Sequence, residues 1–338
     1  MKSFESTARI YREDRYLNPA SLEAGLNAAC EGLLRLQKED GHWCFPLEAD
    51  CTIPAEYVLM MHFMDEVDAE LQARLARFVR GKQDSQHDGW SLYYGGDLDL
   101  SCTVKAYYAL KLAGDSPEAP HMVRARSAIL AHGGAARANV FTRIMLAMFG
   151  QIPWRGVPFV PVEIIFLPRW FPFHLSKIAY WSRTVTIPLS ILCSLKTRAV
   201  NPQNVHIQEL FTIPPNEEQD YFPIRTSLNR FFLILERTAS VFEPYIPPFF
   251  RRMAMRRAER WVIERLNGDS GLGGIFPAIV NAYEALAVLG YPYEHPYREQ
   301  CRKALRGLLV EQGESVWCQP CVSPVWDTVL ASLALQEA

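Results

Sequence analysis

The chain has 338 residues, of which 49% are hydrophobic, 12% aromatic and 21% charged, with a formal net charge of -2. That apolar content can fill a sizeable core and excludes general disorder, while the near-neutral charge gives no electrostatic case for nucleic acid as a partner. No stretch approaches the roughly 18 uninterrupted apolar residues of a spanning helix. The segment Met1-Lys2-Ser3-Phe4-Glu5 carries charges where a signal peptide has its apolar core, which points to the cytosolic side. Eight cysteines fit a reducing compartment better than a disulfide framework, since a core of this size needs no staples. Cys318-Gln-Pro-Cys321 has metal-pair spacing, but no second pair completes a zinc site and no strand–helix unit makes it a redox motif. Its plainer reading is two small half-buried residues.

Taken from its start, the chain repeats itself about every 45 residues. A helix end, a turn and an aromatic recur as Gln37-Lys-Glu-Asp-Gly41-His-Trp43 and as Gln83 running on to Gly89-Trp90. A degenerate copy ends in Gly133-Gly134, a fourth reads Leu266 to Gly274, and a fifth carries Gln312 and Trp317. The leading helix of a unit is amphipathic: Leu22, Leu26, Ala29, Leu33 and Leu36 fall on one face. The second helices, expected at 55–63, 104–112, 141–149, 282–289 and 328–335, are apolar nearly all round and so must be buried on most sides. Stacked pairs of this kind give two concentric layers, closed as an α/α barrel or open as a solenoid. Glu56 and Lys105 interrupt the inner helices. A carboxylate there costs several kcal/mol unless partnered, so Glu56 implies a polar network or a cavity.

Between the third and fourth copies the pattern breaks. Residues 152–173 hold five prolines, which forbid one straight helix, yet they are too apolar for a solvated loop. A helix carrying Trp181 follows. Residues 228–250, with Phe231, Phe232, Phe249 and Phe250, run directly into Arg251, Arg252, Arg256 and Arg257. An apolar aromatic segment followed by clustered arginines reads as one lying in a bilayer interface. The plainer alternative is a core helix followed by a basic surface helix.

The Gln…Trp repeats resemble those of the squalene–hopene and oxidosqualene cyclases. The stretches 139–143, 158–163, 269–277 and 317–328 are similar to further segments of that family in the same order, so the resemblance covers the chain from about residue 20. It implies an all-α architecture of two α/α barrels around a large apolar chamber. Residues 1–37 would then be leading helices of an incomplete second barrel. Residues 38–300 would be an inserted α/α barrel with a membrane-associating segment at about 215–257, and 301–338 a return to the second barrel. The implied chemistry is a class II cyclisation, in which an aspartic acid protonates a terminal alkene or epoxide and carbocations propagate through a folded polyprene until a base or water ends the cascade. It needs no metal and no cofactor, only aromatic faces to stabilise cations and a dry chamber.

Residue by residue, the resemblance assigns cavity positions to Trp181, Phe141, Ile275, Pro277 and Trp326, and polar-network positions to Glu56 and Asp327. The membrane contact falls to Phe231, Phe232, Phe249, Phe250, Arg251 and Arg252. Lys105 and Met145 stand where the family's best-known members carry a glutamate and a tryptophan, and Phe276 replaces a glutamine. The family's DxDD acid motif does not occur in the 338 residues. Asp97-Leu-Asp99-Leu100 is the nearest match and reads as a turn, while Asp65, Glu66 and Asp68 read as ending one helix and capping the next. The chain is therefore expected to be inactive alone. Its expected partners are squalene or a similar polyprene, a membrane interface, and a C-terminal cyclase half in cis or trans; a homodimer is compatible with this. The implied location is the cytoplasmic face of a bacterial inner membrane, as a peripheral or monotopic protein. The main alternative is a non-catalytic, membrane-associated lipid-binding barrel. A zinc prenyltransferase lacks a ligand pattern among its scattered histidines, and a glycosidase would need paired acids that the inner helices lack.

Overall fold

Helices that are apolar on every side have to be covered on every side, and that requirement organises the larger part of the molecule. The computed structural model describes residues 19–172, 174–222, 241 and 243–338. By their contacts these form two units, Leu47–Cys321 and a smaller one made from the described part of Met1–Pro46 with Val322–Ala338. Among the described residues the helices are α1 (Pro19–Arg35), α2 (Thr52–Met64), α3 (Ala69–Gly81), α4 (Leu100–Leu112), α5 (Pro120–Ala131) and α6 (Val140–Met148). They continue with α7 (Tyr180–Leu195), α8 (Pro248–Ile263), α9 (Phe276–Val288), α10 (Pro296–Gly307) and α11 (Pro324–Glu337). The chain is all-α apart from two short hairpins, β1–β2 (Leu266–Asn267 with Gly271–Leu272) and β3–β4 (Leu309–Gln312 with Ser315–Cys318).

In the larger unit α2 packs on α4 and α9, α4 on α6, and α9 on α7. Outside them α3 covers α2 and α4, α5 covers α4, α8 covers α7 and α10 covers α9. This is a ring of inner and outer helices, the closed one of the two arrangements that the repeats allow and the one that the resemblance implies. All of α4 except Leu100 and Lys111 is buried. The outer helices α3 and α10 bury one stripe only, in α3 through Leu75, Ala76, Phe78 and Val79.

The repeat has a hydrogen-bonding rationale. The Gln83 side chain donates to the Asp88 carbonyl at 2.8 Å, closing the turn, and the Trp90 indole donates to the Val79 carbonyl at 2.8 Å. That carbonyl lies in the last turn of α3, where the regular i to i+4 donors run out; it also accepts from Lys82 N at 3.2 Å, so the indole adds a second donor to it. A hydroxyl from the next inner helix, Thr103 Oγ1, accepts from the Trp90 backbone at 3.1 Å. Gly89 is required by proximity: a Cβ there would sit 2.6 Å from Leu98 and 2.8 Å from Thr103. The fifth copy departs from the expected helix-and-turn form. After Gly307 the chain makes the β3–β4 hairpin, with Gly313 at φ 57° in a two-residue loop that favours glycine first. Trp317 therefore stacks on Phe78, centroids 6.0 Å apart, rather than capping a helix.

The proline-rich stretch folds as isolated 3-10 turns, Trp154–Gly156 and Val162–Phe166, as its prolines demand. Asp65 and Asp68 act as read: Asp65 ends α2 in left-handed geometry, and Asp68 caps α3 by accepting from Leu71 N at 3.1 Å, while Glu66 of the same group pairs with Arg298 instead. Asp99, read as a turn carboxylate, caps α4 by accepting from Cys102 N at 2.7 Å.

In the smaller unit the Trp43 indole donates to the Leu33 carbonyl of α1 at 2.8 Å, and Gln37 to the Gly41 carbonyl at 2.8 Å, repeating the pattern. Thr328 Oγ1 accepts from Trp43 N at 3.0 Å, and Asp327 accepts from Phe45 N at 2.8 Å and from Ser323 Oγ at 2.9 Å. In α11 only Ala331 is buried.

Candidate active-site cavity

The five inner helices enclose a cavity of about 330 Å³, at the small end of ligand-sized pockets. Its mouth is formed by N-terminal turns: Thr52 and Ile53 of α2, Phe141 of α6, Trp181 of α7 and Pro277 of α9. Phe141 and Trp181 are well exposed there, at 59% and 62%. Deeper residues, Leu59, Met60, Met148, Phe149 and Leu189, are buried. Asn139 fixes the α6 edge, its side chain capping Thr142 N at 2.9 Å while its own N–H donates to Ser101 Oγ of α4 at 2.8 Å.

The cavity has two unlike walls. Along α6 and α7 it is apolar, with Phe141, Ile144, Met145, Met148, Trp181, Val185 and Leu189. Across from these, α2, α4 and α9 contribute Glu56, Lys105, Asn281 and Glu284. Lys105 Nζ donates to Glu56 Oε1 at 2.5 Å, so the carboxylate expected from sequence to need a partner has an ammonium. Glu284 is only 6% exposed and makes no hydrogen bond among the described residues. Burial first, and the Glu56 charge second, push its carboxyl up to about 8, so it carries its proton at neutral pH.

Of the positions assigned from sequence, Phe141, Trp181, Pro277 and Glu56 thus line one cavity. Ile275 stands just outside it, in extended geometry before α9 and bridged to Cys321. Phe276 turns inward and stacks on Tyr57, centroids 6.1 Å apart, so it does not face the cavity. Trp326 and Asp327 belong to the smaller unit; Trp326 is 70% exposed and Asp327 holds backbone and Ser323 as described. Glu284 went unrecognised in the sequence, although the signal that marks Glu56, a carboxylate within an apolar helix, marks it equally.

Phe231 and Phe232 lie outside the described residues. Phe249 is exposed at the start of α8, while Phe250 packs on Phe166, centroids 5.0 Å apart. Arg251 is held by Glu163 at 2.9 Å and Glu243 at 3.6 Å, leaving Arg252 and Arg256 as exposed cations nearby. Trp170, Tyr245 and Met253 are also exposed. No helix among the described residues is long and apolar enough to cross a membrane.

Residues 26–314 match a family model described as the squalene–hopene cyclase N-terminal domain. The squalene–hopene cyclase of Zymomonas mobilis subsp. mobilis is 49% identical over 325 residues, covering 94% of this chain and 49% of the relative. That of Bradyrhizobium diazoefficiens is 46% identical over 342 residues, covering 100% of this chain and 52% of the relative. Dammaradiene synthase of Dryopteris crassirhizoma is 27% identical over 322 residues, covering 95% and 47%. The chain spans about half the length of the curated relatives it matches.

Proposed function

The chain belongs to the squalene–hopene cyclase N-terminal domain family, and on that premise we propose that it forms one wall of the chamber in which a linear polyprene is folded and cyclised. The observation that carries this reading is the inner-helix cavity, apolar along α6 and α7 with the rings of Phe141 and Trp181 at its mouth. Aromatic faces attract a carbocation without capturing it covalently. The buried methionines and leucines beneath them exclude water that would quench the cation early. Lys105 would oppose cation development if unpaired, and its pairing with Glu56 neutralises it.

In this reading the initiating acid comes from elsewhere, because no DxDD occurs in the 338 residues. A complementary C-terminal half, joined or separate, supplies it and covers the apolar residues of α11. The exposed Trp170, Tyr245, Phe249 and Met253, with Arg252 and Arg256 near them, are the surface we assign to a membrane interface. The absent acid motif also favours a second reading, a barrel that binds polyprenes without turning them over.

The test is reconstitution. The chain is mixed with the C-terminal half of the Zymomonas mobilis relative in lipid vesicles and supplied with squalene, and products are read by gas chromatography and mass spectrometry. Polycyclic product only when both halves are present supports the cyclase reading. Product from the chain alone would overturn the assignment of the acid to another segment. Tight squalene binding with no product in the mixture would favour the binding barrel.

A further inference from the structure

The polar wall is more than the apolar chain of a hydrocarbon needs. A saturated or olefinic end has nothing to offer Glu284, a residue only 6% exposed whose side chain lines the cavity and has no hydrogen-bond partner among the described residues. A buried polar group left in that condition is costly, and such groups in native proteins normally meet a partner. Lys105 is not that partner, since its ammonium contacts Glu56 and makes no contact with Glu284. Asn281, one turn before Glu284 on α9, faces the same space with an amide of which only one contact is made, from its Nδ2 to the Val185 carbonyl at 3.3 Å.

We infer that Glu284, flanked by Asn281 and the Glu56–Lys105 pair, is a subsite for the oxygen of an oxygenated polyprenoid, an ether, alcohol or ketone, to which its carboxyl donates a hydrogen bond. The inference rests on the cavity being the polyprene site and adds the class of ligand end that it selects. Held neutral by its burial, the carboxyl can donate where a carboxylate could only accept. The opposite wall of α6 and α7 takes the apolar body, so the ligand is oriented with its oxygen toward α9.

Equilibrium binding of radiolabelled farnesyl methyl ether and of farnesene to the full chain in nonionic detergent micelles tests this. The ether can accept a hydrogen bond but not donate one, so it isolates a donor in the protein. About tenfold tighter binding of the ether is expected, the fold-change of one well-made buried hydrogen bond. Glu284→Leu should erase the preference while keeping farnesene bound, and Glu284→Gln, whose amide still donates, should keep part of it. Equal affinity for the two ligands, or a preference unchanged in Glu284→Leu, would overturn the subsite alone. Failure of either ligand to bind at all would remove the polyprene cavity and the subsite together. Removal of a buried acid favours folding, so loss of ether preference in a variant with unchanged farnesene affinity cannot be assigned to misfolding.

Discussion

The two units put the same kind of helix in opposite circumstances. In the larger one the apolar helices α2, α4 and α9 are covered by neighbours on nearly every side, and Leu110 in α4 is fully buried. In the smaller one α11 is as apolar as α4, yet Val325, Trp326, Val329, Leu330 and Leu333 are all exposed. An apolar helix therefore announces a need for cover without saying which segment provides it. Inside the ring the problem inverts: cover is complete, and it is polar groups, Glu56, Lys105 and Glu284, that must find partners.

That contrast can be broken by substitution. The largest effect is expected from Glu56→Gln, which leaves the Lys105 ammonium buried and unpaired and should cost about 3–5 kcal/mol in urea unfolding. Adding Lys105→Met should recover most of that loss. Next is Leu110→Ala, expected to cost about 2–5 kcal/mol through the cavity left in the ring. Glu284→Gln should stabilise. Its carboxyl is raised from an ordinary 4.5 to about 8, so the unfolded chain releases that proton more readily and stability falls as pH rises between those values. The amide does not ionise, so the gain should be absent at pH 4, about 2 kcal/mol at pH 6, and level off above pH 8. Smallest is Leu330→Ala in α11, exposed at 57% and expected to change stability by under about 0.5 kcal/mol. A matched loss at Leu110 and Leu330 would mean that the smaller unit covers α11 after all.

Much of the ring was legible because its signals are local. Period and apolarity placed helices at 55–63, 104–112, 141–149 and 282–289, and α2, α4, α6 and α9 span or overlap those ranges. The Gln83 and Trp90 positions follow from hydrogen bonds within one turn and its flanking helices. Burial of the helix at 328–335 was not legible, since α11 has the composition of an inner helix without the neighbours of one. The hairpin at Leu309–Cys318 is masked by the repeat: Gln312 and Trp317 keep its residue types in order, but Gly307 ends α10 before Leu309-Val310, a pair suited to a strand. In the cavity, Glu56, Phe141, Trp181 and Pro277 were assigned from sequence and share one lining. Glu284 carries the same local signal as Glu56, a carboxylate in an apolar run, but that the two line one cavity depends on α2 and α9 coming together in the fold.

Photolysis of a diazirine-bearing polyprene hydrocarbon bound to the chain, followed by peptide mass mapping, reads the location of the ligand directly. Label is expected on α6 and α7, at Phe141, Met145 and Trp181, and should disappear in excess squalene. Label confined to the surface around Trp170, Tyr245 and Phe249, with none on the ring, would contradict a polyprene chamber among the inner helices.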